Sequence, residues 1–148
     1  MELSALKPFL DARVPPVRLI AVAGEALGHE AFSPAYWSGE LFFDMEKKDL
    51  FKKSDLKYQG LLSGVFSYYT GGAVAQNSAR CDAKGVTGNM DGEGLKLGGV
   101  FAVSPTGEVA FEHREASWGD TTAVGDRMRA LKTAVENFST SNPAANDS

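Results

Sequence analysis

The chain has 148 residues, of which 43% are hydrophobic and 23% charged, so it is long enough for one globular domain with a core. Its net charge is −4 and it has no basic run, which argues against nucleic acid as a partner. No apolar stretch approaches the roughly 18 residues needed to span a bilayer, and the start lacks a signal-peptide pattern, so we expect no membrane partner. A single cysteine excludes an internal disulfide and suits a reducing compartment, so we expect a cytoplasmic protein.

The first third of the chain predicts helices alternating with short buried strands. Apolar residues at helical spacing predict a helix over residues 2–13, with a kink at Pro8. Residues 17–22 (VRLIAV) are apolar on both faces, which predicts a strand inside a sheet that is covered on both sides. The following pattern predicts an irregular helix over 25–37, a strand over 40–44 and a charged helix over 45–53.

The middle of the chain predicts helix and then loop. An apolar stripe over residues 59–69 predicts a helix, and a weaker helical segment continues to residue 83. Residues 85–99 are rich in glycine and predict a loop, in which Gly98 and Gly99 allow another backbone to come close.

A hairpin and a final helix are predicted next. Residues 100–104 predict a strand buried on both faces, and Ser104-Pro105-Thr106-Gly107 predicts a type I turn. Residues 108–113 alternate, which predicts a strand with Val109, Phe111 and His113 facing inward. The N-caps predicted for the last helix are Asp120, Thr121 or Thr122, and its apolar stripe is Val124, Met128, Leu131, Val135 and Phe138.

This order of elements predicts one α/β domain over residues 1–138. A helix–strand opening closed by two strands and a helix is the order of a thioredoxin-like fold, a mixed sheet with flanking helices. Residues 139–148 have no apolar anchor and predict a disordered tail.

Cys81 is the only candidate nucleophile of thiol type. Arg80 and Lys84 would favour its thiolate, and Asp82 opposes it. It has no second cysteine two residues away and lies outside any strand-to-helix corner. We therefore predict an incidental cysteine, with a functional thiol as the alternative.

The remaining polar candidates favour structural roles. His29 and His113 lack any zinc-ligand spacing, and we predict that His113 lies at the core edge with one satisfied nitrogen. The glycine cluster at 88–99 fits neither a nucleotide loop nor a calcium loop. The sequence places no two carboxylates together among Asp44, Glu46, Asp91 and Glu93, so we predict solvated surface positions for them. The aromatic residues are predicted to lie in the core or at its rim: Trp37, Trp118, Tyr68 and Tyr69.

Several stretches together carry a resemblance to a known family. They are ALKPFLDARVPPVRLIAVAGEALG, YWSGELFFDMEKKDLFKK, GVTGNMDGEGLKLGGVFAVS and EVAFEHREASWGD. The chain resembles the peroxiredoxin-like 2 family, which includes prostamide/prostaglandin F synthase and belongs to the AhpC/TSA branch of the thioredoxin-like superfamily. The resemblance covers roughly residues 3–135 and is most specific in GNMDGEGLKLGGVFAVS.

The resemblance implies a thiol oxidoreductase of antioxidant type that reduces peroxides or prostaglandin endoperoxides. It implies no bound cofactor, and electrons from a thioredoxin or NADPH-linked system. In the family a Cys-x-x-Cys-type motif begins the first helix, where the helix N-terminus stabilises a thiolate. The matching helix here is residues 2–13, which contain no cysteine, so no catalytic residue is carried over and Cys81 does not match the motif.

The missing motif leads to two further expectations. We expect a chain that begins downstream of the motif and of the central strand before it, with little or no peroxidase activity. The strands at 17–22 and 100–104 would then pair directly or leave backbone groups unsatisfied. The alternative function is a non-catalytic thioredoxin-like module that a partner completes by adding a strand.

Overall fold

The computed structural model describes residues 3–46, 50–58, 60, 66, 69–70, 72–85, 95–120 and 125–140. After a 3₁₀ turn at Ser4–Leu6, the elements are α1 (Lys7–Asp11), β1 (Ile20–Ala23), α2 (His29–Tyr36), β2 (Glu40–Phe43), α3 (Leu50–Lys53), α4 (Ala73–Ala83), β3 (Gly99–Val103), β4 (Val109–Arg114) and α5 (Asp126–Thr140). This mixed α/β architecture of helices and small sheets is consistent with a thioredoxin-like AhpC/TSA fold, and the predicted fold class is confirmed.

The N-terminal helix forms within the range that the apolar spacing predicts, and the kink at Pro8 stays a prediction. Pro8 lies in the first turn of α1, directly after the 3₁₀ turn, where its missing N–H removes no helical hydrogen bond. The hydroxyl of Ser4 donates to the Tyr36 carbonyl at 2.8 Å and also accepts the Ser38 N–H. These bonds attach the start of the chain to the end of α2.

β1 and β2 form a parallel pair, with Ile20 opposite Glu40 and Ala23 opposite Phe43. β1 begins three residues later than predicted, at Ile20. The chain enters β2 through Gly39, where an added Cβ would lie 2.3 Å from the Leu19 carbonyl oxygen. That oxygen accepts the Glu40 N–H at 2.8 Å, so glycine is required by the closeness of the two backbones.

β3 and β4 form the predicted hairpin. Gly107 has φ +90°, and its N–H donates to the Ser104 carbonyl at 2.9 Å. The Ser104 N–H in turn donates to the backbone carbonyl of Glu108 at 2.8 Å. A register shift lies further along the strands, where Val103 pairs with Val109 but Ala102 pairs with Phe111, so Ala110 is the extra residue of a β-bulge. The predicted close approach at Gly99 is confirmed, since an added Cβ would lie 3.0 Å from the His113 carbonyl oxygen.

The core lies between the hairpin and two helices. Its buried residues come from α1 and the turn before it, from β3 and from α5: Leu6, Leu10, Ala102, Leu131 and Val135. The predicted stripe of α5 is confirmed at Met128, Leu131, Val135 and Phe138, all of which lie in this cluster or pack against it. Val124 lies outside the described residues.

The strands are less enclosed than their apolar sequences predict. Ile20 is 43% exposed and Val103 is 52% exposed, so the prediction that both strands are buried on both faces is wrong. Within the described residues, β1–β2 and β3–β4 are separate two-stranded sheets, so the predicted direct pairing of β1 with β3 does not occur.

The remaining boundaries differ in detail. α2 and α4 lie within their predicted segments, whereas α3 begins at Leu50 rather than at 45, and residues 47–49 lie outside the described residues. α5 continues to Thr140, beyond the predicted start of the tail at 139. Residues 141–148 and most of the predicted helix at 59–69 and loop at 85–99 also lie outside the description. In the part described, no helix has the length and apolarity needed to cross a membrane.

Candidate functional site

Four ionisable side chains meet where the hairpin ends and α5 begins, and we call His113, Glu115, Asp120 and Arg127 the hairpin-base cluster. The antiparallel register places Gly99 opposite Arg114, so the next residues outward, Gly98 and Glu115, also face each other. Glu115 N–H donates to the Gly98 carbonyl at 3.0 Å, and Gly98 N–H donates to Glu115 Oε2 at 2.7 Å. The side chain of Glu115 therefore lies across the open end of the hairpin.

The Glu115 carboxyl is half-buried, and this burial raises its pKa above the ordinary value of 4.5. The Gly98 N–H opposes that shift by stabilising the carboxylate, and the nearby Asp120 charge adds to it. A glycine at 98 leaves room for this arrangement, since an added Cβ would lie 3.3 Å from Glu115 Oε2. Glu115 thus holds a proton more readily than an exposed glutamate.

The pKa of Asp120 is shifted in the opposite direction from that of Glu115. Its burial by itself favours the neutral acid, but several donors together hold its pKa below 3.8. Asp120 Oδ2 accepts the Ala116 N–H at 3.0 Å, and Oδ1 accepts a hydrogen bond from Arg127 Nη1. The prediction that Asp120 caps the last helix is wrong, because α5 begins at Asp126 and Asp120 instead closes the turn after β4. Thr121 and Thr122 lie outside the described residues.

His113 lies on the inward face of β4, as predicted, with only 12% of its side chain exposed. Its Nε2 is 3.2 Å from Arg127 Nη1 and 3.5 Å from Asp120 Oδ1. A hydrogen bond donated by Arg127 requires an unprotonated Nε2, whereas a protonated Nε2 would pair with Asp120. The predicted core-edge position with one satisfied nitrogen is confirmed.

The two carboxyl groups of the cluster have pKa values that shift in opposite directions. The pKa of Glu115 is raised by burial and that of Asp120 is lowered by its donors, a separation typical of functional carboxyl groups and also of structural ion networks. The cluster itself contains no nucleophilic thiol or hydroxyl. The clearest role of the cluster is structural, because Asp120 and Arg127 connect the end of β4 to the first turn of α5.

Glu115 and Arg127 are not among the residues that the sequence predicts to have a functional role. A signal for Glu115 existed, since the alternation through Phe111 and His113 continues to it and places a carboxyl on the inward face. No local pattern indicates Arg127, because its partners become neighbours only when α5 packs on the hairpin.

Cys81 lies in the last turn of α4 and is half-buried. Its carbonyl accepts the Lys84 N–H at 3.0 Å, whereas the flanking Arg80 donates to Asn77 Oδ1 at 3.0 Å. No hydrogen bond or ion pair links the Cys81 thiol to another of the described side chains. The structure therefore does not bring Cys81 into the hairpin-base cluster.

The other candidates have local roles. His29 Nδ1 contacts the Ala26 carbonyl at 2.6 Å, and its ring meets Phe43 edge-on at 5.4 Å. Asp44 accepts the Leu50 N–H at 2.9 Å and so supports the start of α3. Groups of three or more metal-ligating side chains are absent from the described ranges, and Asp91 and Glu93 lie outside them.

The aromatic residues predicted for the core or its rim differ in how exposed they are. Trp37 stacks on Phe32 at 6.3 Å and donates its indole N–H to the Glu40 carbonyl at 2.9 Å, as a rim residue should. Tyr69 is 81% exposed, so its predicted core or core-rim position is wrong. Trp118 is half-buried, and Tyr68 lies outside the described residues.

Comparison with known proteins finds a matching family and several similar proteins. The model of the AhpC/TSA antioxidant enzyme family matches residues 2–117. Peroxiredoxin-like 2A of Danio rerio is 39% identical over 137 residues, which cover 90% of this chain and 60% of that protein. Prostamide/prostaglandin F synthase of Aquarana catesbeiana is 33% identical over 148 residues, which cover 99% of this chain and 72% of that protein.

The similarity extends to further vertebrate relatives. Peroxiredoxin-like 2A of Gallus gallus is 36% identical over 133 residues, which cover 88% of this chain and 55% of that protein. The chain thus spans less than two thirds of the length of the two Peroxiredoxin-like 2A relatives. No solved structure gave a significant match.

Proposed function

The chain belongs to the AhpC/TSA antioxidant enzyme family, in its peroxiredoxin-like 2 branch, and from this we propose that it acts in thiol-dependent peroxide reduction. The observation that carries the proposal is the match over residues 2–117, which include β1 to β4 and α1 to α4. We propose organic peroxides or a prostaglandin endoperoxide as the substrate class. The name of the Aquarana relative, a prostamide/prostaglandin F synthase, supports the second substrate.

The proposed chemistry needs a thiolate and two electrons. With a hydroperoxide, the thiolate sulfur attacks the terminal oxygen, the O–O bond breaks, and the products are a sulfenic acid and, after protonation, an alcohol. With an endoperoxide, both oxygens are bonded to carbon, so the same attack gives a sulfenate ester and one hydroxyl group after protonation. A dithiol reductant of thioredoxin type, recharged by NADPH, then restores the thiol and releases water from the sulfenic acid or the second hydroxyl group from the ester. We propose such a reductant as the partner and a cytoplasmic location, which the single cysteine supports.

We further propose that the redox cysteine of this chemistry is not Cys81. The thiol of Cys81 lies near the C-terminal end of α4, where the helix dipole disfavours an anion. Residues 1–80 contain no cysteine, so the 148 residues include no Cys-x-x-Cys-type motif at α1. The 148-residue chain alone should therefore show little or no peroxidase turnover.

A coupled assay tests this directly. The chain is mixed with hydrogen peroxide, thioredoxin, thioredoxin reductase and NADPH, and NADPH loss is followed against the Cys81→Ser variant. We expect both proteins to match the protein-free background. Robust turnover that Cys81→Ser abolishes would overturn this assignment and make Cys81 the redox centre.

A second arm tests the family activity itself. A variant extended ahead of α1 by a segment with a Cys-x-x-Cys-type motif should consume peroxide, and Cys81→Ser should leave that turnover unchanged. Absence of turnover in the extended variant, with peroxide and with endoperoxide, would contradict the proposed function. The alternative of a non-catalytic module completed by a partner strand is not favoured by the comparisons.

A further inference from the structure

Two cationic side chains share one aromatic ring where α1 faces α5. The guanidinium carbon of Arg13 lies 4.5 Å from the centroid of the Phe9 ring, and Lys132 Nζ lies 5.5 Å from the same centroid. The two charges are therefore at most about 10 Å apart, close enough to repel each other. Phe9 packs against the buried core cluster, so the ring is a fixed platform.

Neither cation is neutralised within the described part of the chain. Neighbouring cations on the same elements do have acidic partners, since Lys7 pairs with Asp11 at 2.5 Å and Arg129 with Asp126 at 2.8 Å. Glu136, one helical turn beyond Lys132, is exposed and forms no ion pair with it. Two positive charges beside one ring, without a carboxylate partner, form a local region of positive potential.

The guanidinium of Arg13 also has unused hydrogen-bonding capacity. Its Nε is buried and has no acceptor among the residues described. Contact with the Phe9 ring supplies electrostatic attraction to the cation but no oxygen for this N–H. The two Nη atoms of Arg13 are not among the buried atoms, so a planar oxyanion from solvent can reach their N–H groups in the bidentate geometry that arginine favours.

Exposed apolar residues lie directly beside Arg13. Val14 is 84% exposed, and the flanking Ala12, Pro15 and Pro16 are exposed as well. Such a run next to a cation offers an apolar surface on one side and positive charge on the other. This combination suits a ligand with an anionic head and an apolar body.

We propose that Arg13 and Lys132, held around Phe9, form a binding site for a small amphipathic carboxylate. Its carboxylate is placed against the two cations and its apolar chain along Val14 and the two prolines. The site does not include Cys81 or the hairpin-base cluster and does not rest on the proposed redox function. Binding and peroxidase activity can therefore succeed or fail separately.

The test is a heteronuclear NMR titration of the 148-residue chain with decanoate below its micellar concentration, alongside acetate and inorganic phosphate. Decanoate should give saturable shifts centred on residues 9–16 and 128–135, weakening as salt rises. Acetate and phosphate should bind at least about tenfold more weakly. No saturable decanoate shift would overturn the site, and phosphate binding as tight as decanoate would overturn the amphipathic ligand.

Variants assign the binding to the two cations. Arg13→Gln and Lys132→Gln should each weaken decanoate binding about tenfold, whereas Arg129→Gln, on the same helix but already paired, should leave it unchanged. Lys132 is exposed, so its variant decides the question even if Arg13→Gln does not fold. Equal weakening by Lys132→Gln and Arg129→Gln would show general charge attraction and overturn the site.

Discussion

Arg127 donates a hydrogen bond to Asp120 from the first turn of α5, and Asp120 at the same time closes the turn that follows β4. The Asp120 side chain is only 17% exposed, although the Arg127 side chain is 47% exposed. One largely buried carboxylate thus joins the hairpin to the helix that covers it.

Asp120→Asn should destabilise the fold by about 1–2 kcal/mol near neutral pH, because the charge-assisted bond to Arg127 is lost. Folding lowers the pKa of Asp120 below 3.8, so its contribution is present above that pH and is lost as pH falls through the folded-state value. Urea denaturation of variant and wild type at several pH values measures both effects. The destabilisation should shrink toward pH 3.

The matched control for this prediction is Asp126→Asn. Asp126 pairs with Arg129, but their side chains are 93% and 77% exposed, so we expect a change within about 0.5 kcal/mol. Equal costs for the two variants would contradict a special role of the Asp120–Arg127 pair.

Glu115→Gln should make the protein more stable than wild type at neutral pH and similar to it near pH 4. Burial raises the pKa of Glu115, so its contribution to stability is complete below the unfolded value of about 4.5 and declines as pH rises through the folded-state value. Glutamine mimics the neutral acid and can still accept the Gly98 N–H. Melting temperatures across this range give the comparison.

A Glu115→Gln variant that becomes less stable than wild type by a growing margin as pH rises would contradict this explanation. It would show that the carboxylate bound to Gly98 outweighs the cost of burying its charge. Glu112→Gln on the exposed face of β4 serves as the control and should show no comparable gain above pH 5.

Leu131→Ala should cost about 2–5 kcal/mol, because Leu131 is only 6% exposed and its removal leaves a cavity between α5 and the hairpin. Leu27→Ala makes the same chemical change at a side chain that is 60% exposed, and it should cost less than about 1 kcal/mol. Chemical denaturation measures the two costs. Similar values would place the core elsewhere than between α1, α5 and β3–β4.

Gly39→Ala should destabilise the β1–β2 pair, because its Cβ would lie 2.3 Å from the Leu19 carbonyl oxygen that accepts the Glu40 N–H. We expect a loss of more than about 2 kcal/mol in global stability or a loss of hydrogen-exchange protection at β2. Gly28→Ala is the control, since Gly28 has φ +76° and open space around it, so only about 1–2 kcal/mol of backbone strain is expected. A milder effect at Gly39 than at Gly28 would contradict the close approach.

Local patterns account for the parts of the fold that could be predicted. The Pro105–Gly107 turn and the stripe of α5 each depend on residues close in sequence, and each agrees with the structure. The alternation of β4 agrees at Phe111 and His113, but Val109 is 54% exposed, so its predicted inward position is wrong. The predicted burial of β1 failed because an apolar sequence shows which residues tolerate burial but not whether another layer covers them.

The sequence by itself determined the hairpin, the described residues of the α5 stripe, the family and the lack of a cysteine before Cys81. Only the tertiary structure decided that Glu115 meets Gly98, that Arg127 meets Asp120, and that Arg13 and Lys132 share the Phe9 ring. Each of these contacts joins separate elements, and the distance between them depends on how the whole chain packs. Turn chemistry and helical periodicity act over a few residues, so they carry no information about such distances.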